Sequence, residues 1–208
     1  MSIELWLAFV AASAVLLIIP GPTVLTVISY AIARGRPVSV ALVAGVALGD
    51  STALVVSLLG LGALLAASAL AFTVAKLVGG MYLLYLGIRM LRAGFTVTEV
   101  AGRAAPESRR RVFLNTYLVT AFNPKSIIFF VAFLPQFVNR SADVTQQFVL
   151  LAVTFVVMAA ANAGMYSVFA GSANRLLSSP RAQKRLNLTG GSLLTAAGVW
   201  ALLARHSA

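Results

Sequence analysis

The chain has 208 residues, of which 60% are hydrophobic and only 10% charged, with mean hydropathy +0.95, net charge +11 and no cysteine. A soluble domain carries roughly 25% charged residues, so this composition excludes an ordinary water-soluble fold and points to a bilayer. Lacking cysteine, the chain has no disulfides, no thiol redox chemistry and no thiolate metal sites.

Six apolar runs follow one another, and a bilayer core demands ~17–25 residues of each helix. The first, Leu5–Ile32, opens behind Met-Ser-Ile-Glu, with an acid where a signal peptide has a basic region, and reads as a permanent helix. Pro20-Gly21-Pro22 interrupts it. The second, Val40–Ala67, has small residues at every fourth position (Ala41, Gly45, Gly49, Ala53, Ser57) and contains Asp50. The third, Leu70–Arg89, holds Gly79-Gly80 followed by Tyr82 and Tyr85, which read as packing residues. Lys76 and Arg89 sit near its ends and are given no role. After a gap too short to bury a core, Val112–Leu134 is broken by Asn123-Pro124-Lys125. Phe148–Gly171 repeats the small-residue stripe with Ala159, Ala163, Ser167 and Gly171 and contains Asn162. Leu188–Ala204 is the shortest run.

Basic residues alternate from loop to loop. The first loop carries Arg34 and Arg36, the third Arg92, Arg103 and Arg109–Arg111, and the fifth Arg175, Arg181, Lys184 and Arg185; between them stands only Arg140, balanced by Asp143. Lys/Arg-rich loops stay cytoplasmic, so both termini are expected outside, with Trp6 and Trp200 near the outer interface. The arginine run reads as a topology anchor, not a nucleic-acid site. His206, in a polar tail, reads as neither metal ligand nor proton relay.

The two halves correspond. Leu77, Gly79, Gly80, Leu83 and Gly87 recur as Leu188, Gly190, Gly191, Leu194 and Gly198, each 111 residues later. The breaks, the stripes and the polar residues Asp50 and Asn162 pair in the same way. Three spans per half is odd, so the second half enters from the opposite side. The expected fold is an all-α integral membrane protein of six transmembrane helices in two inverted three-helix repeats, with helices 1 and 4 broken by proline. It forms one domain over 1–208: repeat one at about 1–92, a cytoplasmic loop at about 93–111 and repeat two at about 112–208.

Paired proline interruptions point to a binding site in such folds. A proline inside a helix removes a hydrogen bond and displaces the carbonyl four residues earlier, freeing those of Leu16, Ile18 and Thr120. Pro22 and Pro124 stand at the favoured first position of new half-helices, the second capped by Asn123; their N-termini suit a carboxylate. Asp50 and Lys125 each cost at least ~2.5–3.5 kcal/mol at a helix centre, so each faces the interior. The candidate transport site is therefore Pro20, Gly21, Pro22, Thr23, Asp50, Asn123, Pro124, Lys125 and Asn162. Asp50, the one embedded acid, is the candidate for proton coupling, with a structural partnership with Lys125 as the alternative. No metal or other cofactor is expected.

These residues resemble the lysine exporter and homoserine-threonine exporter (LysE/RhtB) family of amino-acid efflux proteins. The likeness runs over nearly the whole chain: Pro20–Pro22, Gly35-Arg36, Gly45 to Gly49-Asp50, the Gly79–Arg92 stretch, Asn123-Pro124-Lys125 with Phe129 and Phe130, and the Leu134–Phe137 segment. One departure is Phe113–Thr116, where members usually have a glycine. The resemblance implies export of amino acids or related metabolites from the bacterial cytoplasm across the inner membrane, in exchange for protons. The substrate carboxylate would meet the half-helix N-termini near Pro22 and Pro124, with Lys125 or Asn123 assisting, and its ammonium would meet Asp50 or a freed carbonyl. The alternatives are a passive small-solute channel, disfavoured by Pro-Gly-Pro where a second Asn-Pro motif would stand, and a membrane-embedded accessory protein. An enzyme is not expected, since no catalytic constellation is present. The small-residue stripes fit packing within one chain or in a homo-oligomer.

Overall fold

A computed structural model of the chain describes residues 1–67, 69–93, 108–139, 142–170, 172 and 179–203. Arg103, Arg140, Gly171, Arg175 and His206 lie outside the described residues, as do the side chains of Lys76 and Trp200. All regular structure among the described residues is helical: α1 (Ile3–Ile18), α2 (Pro22–Arg34), α3 (Ser39–Ala67), α4 (Ala69–Ala93), α5 (Arg109–Ala121), α6 (Pro124–Ala132), α7 (Val144–Val168) and α8 (Pro180–Leu203), with short 3-10 turns at Arg36–Val38 and Leu134–Phe137.

Among the described residues, two stretches, Arg36–Gly60 and Val144–Val168, are long and apolar enough to cross a membrane by themselves, and the pair α1 and α2, bent by 54° at their break, makes a third. Their outer faces carry Leu48, Val55 and Leu59 on α3 and Val149, Val153 and Val157 on α7. So much exposed apolar surface is untenable in water, and lipid covers it: the protein is a multi-pass membrane protein. The other three expected spans are less plain by length and hydropathy. α5 and α6 have 13 and 9 residues. α8 starts at Pro180, eight positions before Leu188, because its first turns carry Arg181, Lys184 and Arg185: hydropathy marks the apolar part of a helix, not its start.

α3 lies centrally, packed on α5, α6 and α7. The stripe explains the α3–α5 contact. A Cβ on Gly45 would stand 3.0 Å from Phe113 O and Thr116 Cβ, and one on Gly49 would stand 2.7 Å from Thr120 Cβ. Ser167 donates to Ser39 at 2.7 Å across α7 and α3. Phe9, Phe129, Phe137 and Phe155 form an aromatic cluster that holds α6 and its following turn against α1 and α7. Gly35, at φ 69, takes the left-handed conformation that ends α2 and turns the chain into Arg36–Val38.

The second dense contact joins α4 to α8, and its glycines pair reciprocally. Gly80 packs against Leu202 and Gly191 against Leu91; Gly87 packs against Thr195 and Gly198 against Leu84. Each contact becomes its partner when residues are exchanged for those 111 positions away.

Candidate functional site

Each helix interruption is partly buried: Pro20, Gly21 and Asn123 lie in the interior, while Pro22 and Pro124 are exposed. At the first, α1 stops at Ile18 and α2 starts at Pro22 behind an extended Gly21. Pro20 and Pro22 have no N–H, so the carbonyls closing α1 lose their intrahelical donors. Side chains from distant helices replace them. Lys125 Nζ donates to Leu16 O and Ile19 O, both at 2.8 Å. Asn162 Nδ2 donates to Leu17 O at 3.2 Å, and Tyr166 Oη to Ile18 O at 3.1 Å. Four consecutive carbonyls are thus satisfied from α6 and α7, with a cation on the negative end of α1.

At the second interruption the freed Thr120 carbonyl accepts from Asn123 N at 3.0 Å. Asn123 Oδ1 caps α6 by accepting from Lys125 N at 3.1 Å, and its Nδ2 donates to Thr23 Oγ1 at 3.1 Å. One side chain therefore ties the two breaks together.

Asp50 reaches this junction from α3 and is 2% exposed. Ser126 hydrogen-bonds its carboxyl and Lys125 interacts with it electrostatically, while its Oδ1 has no protein partner. Gly21, Thr23, Asp50, Asn123, Lys125 and Asn162 line one small cavity of about 30 Å³. Pro20, Pro22 and Pro124 face a neighbouring cavity of about 170 Å³, together with Tyr82 and Arg89. Gly21, Asn123 and Lys125 line both, so they form the wall between them.

All nine residues singled out from the sequence therefore meet at one junction, though they divide between two chambers. Lys125 belongs to the first turn of α6, but its Nζ stands on the carbonyl end of α1. Ser126, Tyr166, Tyr82 and Arg89 were not among the expected residues. Only Tyr166 carried a signal: it follows Asn162 by four positions and so shares its helix face. The smaller cavity has room for a water but is far below the roughly 300–1,000 Å³ of ligand pockets, so it is too small for a substrate as it stands.

The geometry is that of a polar junction inside an apolar helical body. A membrane protein of Vibrio cholerae is 33% identical over 96% of this chain and 97% of its own. The homoserine/homoserine lactone efflux protein of Salmonella typhimurium is 32% identical over 100% of both chains. The leucine efflux protein of Klebsiella pneumoniae is 29% identical over 74% of this chain and 73% of its own. No solved structure matches the chain. The family of LysE type translocators matches residues 14–205, nearly the full length, and the chain belongs to that family.

Proposed function

We propose that this protein is a secondary active exporter of amino acids or related small zwitterions across the bacterial inner membrane, driven by proton antiport. The observation that carries the reading is the convergence of both helix breaks, the one buried acid among the described residues and the half-buried Lys125 on a small cavity, in a chain whose relatives are named efflux proteins for homoserine and for leucine. Charged groups at that depth are expensive and mark transport pathways. The site comprises Pro20, Gly21, Pro22, Thr23, Asp50, Asn123, Pro124, Lys125 and Asn162, with Asp50 carrying the proton. The cavity is too small for an amino acid, so the half-helices separate to admit substrate. Transport of a panel of labelled amino acids by proteoliposomes, with and without an imposed pH gradient, tests it: saturable efflux that grows with an inward proton gradient is expected. Flux that neither saturates nor responds to the gradient would make the protein a channel.

The reciprocal glycine contacts of α4 and α8 support two inverted repeats of three spans. In that arrangement α1–α2 and α5–α6 each form one broken span, and the loops bearing Arg36, Arg110 and Lys184 are cytoplasmic. Reporter fusions should therefore place both termini outside; either terminus inside contradicts six spans.

The breaks carry their own prediction. Pro22→Ala and Pro124→Ala should insert normally but lower the initial transport rate about 10–100-fold, because restored helix misplaces the groups at the junction. Unchanged kinetics in both would reduce the breaks to packing kinks.

A further inference from the structure

The carbonyl end of α1 is an electronegative seat, since its last acceptors have no intrahelical donors and the helix dipole adds partial negative charge. Asn162 and Tyr166 satisfy two of the four carbonyls with neutral groups. The remaining pair, Leu16 O and Ile19 O, is held by one ammonium, that of Lys125, at 2.8 Å from each. These two oxygens are spaced to take two N–H bonds from a single primary ammonium.

Three features make that ammonium a removable occupant. Lys125 forms part of the wall between the smaller cavity and the larger one rimmed by Arg89 and Tyr82, so a solute in the larger cavity meets it directly. The space around it is kept clear by Gly21, where a Cβ would stand 3.1 Å from Nζ and 3.3 Å from Cε. Asp50 offers a second berth: it also lines the smaller cavity, and its buried Oδ1 has no partner among the described residues. A flexible four-carbon stem with three donors can move between such berths.

We propose that Leu16 O and Ile19 O are the seat for the substrate's primary ammonium, and that Lys125 fills it as a tethered surrogate until substrate displaces it toward Asp50. This rests on the exporter reading and names the substrate class by its donor. A primary ammonium can give both hydrogen bonds, whereas a quaternary one can give neither. The exchange creates no unpaired charge: the arriving ammonium replaces the departing one on the carbonyls, and the departing one gains the open carboxylate oxygen.

The seat is testable apart from transport, using full-length protein in detergent and methylammonium as probe. In Lys125→Ala the seat is vacant, and methylammonium at a hundredfold excess over its Kd should raise Tm by about 5–10 °C. Wild type, where methylammonium must first displace the tethered ammonium, should shift less than the variant, and tetramethylammonium should act on neither. If Lys125→Ala does not survive purification, the same pair of salts is compared for recovery of monodisperse protein, where methylammonium alone should rescue. Failure of methylammonium to stabilise or rescue the variant, or an equal effect of tetramethylammonium, overturns the seat. Amino-acid flux by wild type, measured separately, tests the exporter reading, so loss of either result is distinguishable from loss of the other.

Discussion

Proteoliposomes containing Asp50→Asn are expected to lose uphill, proton-driven efflux while retaining exchange of labelled for unlabelled substrate. The carboxyl lies at the meeting point of both breaks, buried, with one oxygen free of protein partners. Asparagine has nearly the same shape and can still accept from Ser126, but it cannot gain and lose a proton. Exchanging one inward proton for one net-neutral substrate moves one charge. At ~100 mV that supplies about 2.3 kcal/mol, enough to hold an outward gradient on the order of 50-fold. The variant should therefore let accumulated substrate run down to equality across the membrane, with counterflow within about threefold of wild type. Uphill efflux at the unmutated level would remove Asp50 from the proton path. Parallel loss of efflux, counterflow and folded protein would make it a structural partner of Lys125 and Ser126.

The polar centre was legible in the sequence because lipid makes its ingredients conspicuous. A proline or a charge inside an apolar run is costly enough to need a reason, so Pro20–Pro22, Asp50 and Asn123–Lys125 stood out. The carbonyls of Leu16 and Ile18 were likewise predictable, since proline chemistry fixes which acceptors lose their donors. What satisfies them was not. Lys125 Nζ reaches Leu16 O across 109 positions and Tyr166 reaches Ile18 O across 148, and such partners depend on how helices dock. For the same reason the sequence, which offers Lys125 or Asn123 to a substrate carboxylate, does not show that Lys125 Nζ rests on the carbonyl end of α1. Helix extent was the other weak point: α8 continues through Arg181–Arg185, where charge hides a helix from hydropathy.

The glycines of α4 and α8 give the largest expected effect on folding, and they also measure the symmetry. A Cβ on Gly198 would lie 2.6 Å from Leu84 N and 2.9 Å from Gly80 O; one on Gly87 would lie 2.5 Å from Thr195 N and 2.8 Å from Gly191 O. These neighbours are backbone atoms, which cannot swing aside, so the two helices must separate. Overpacking of this kind costs about 1–3 kcal/mol or more, and in a chain of this size Gly198→Val and Gly87→Val should each lower Tm by about 2–10 °C. Gly60→Val is the control, because a Cβ there meets nothing within 4 Å. Differential scanning of the three purified variants in one detergent decides the matter. Equal losses at Gly87 and Gly198, with Gly60→Val near wild type, are what a two-fold relation between the halves requires, since each glycine faces the residue corresponding to its partner's neighbour. A loss at one glycine alone would leave the 111-residue correspondence a likeness of sequence without matching energetics, and no loss at either would mean that α4 and α8 do not pack through these glycines.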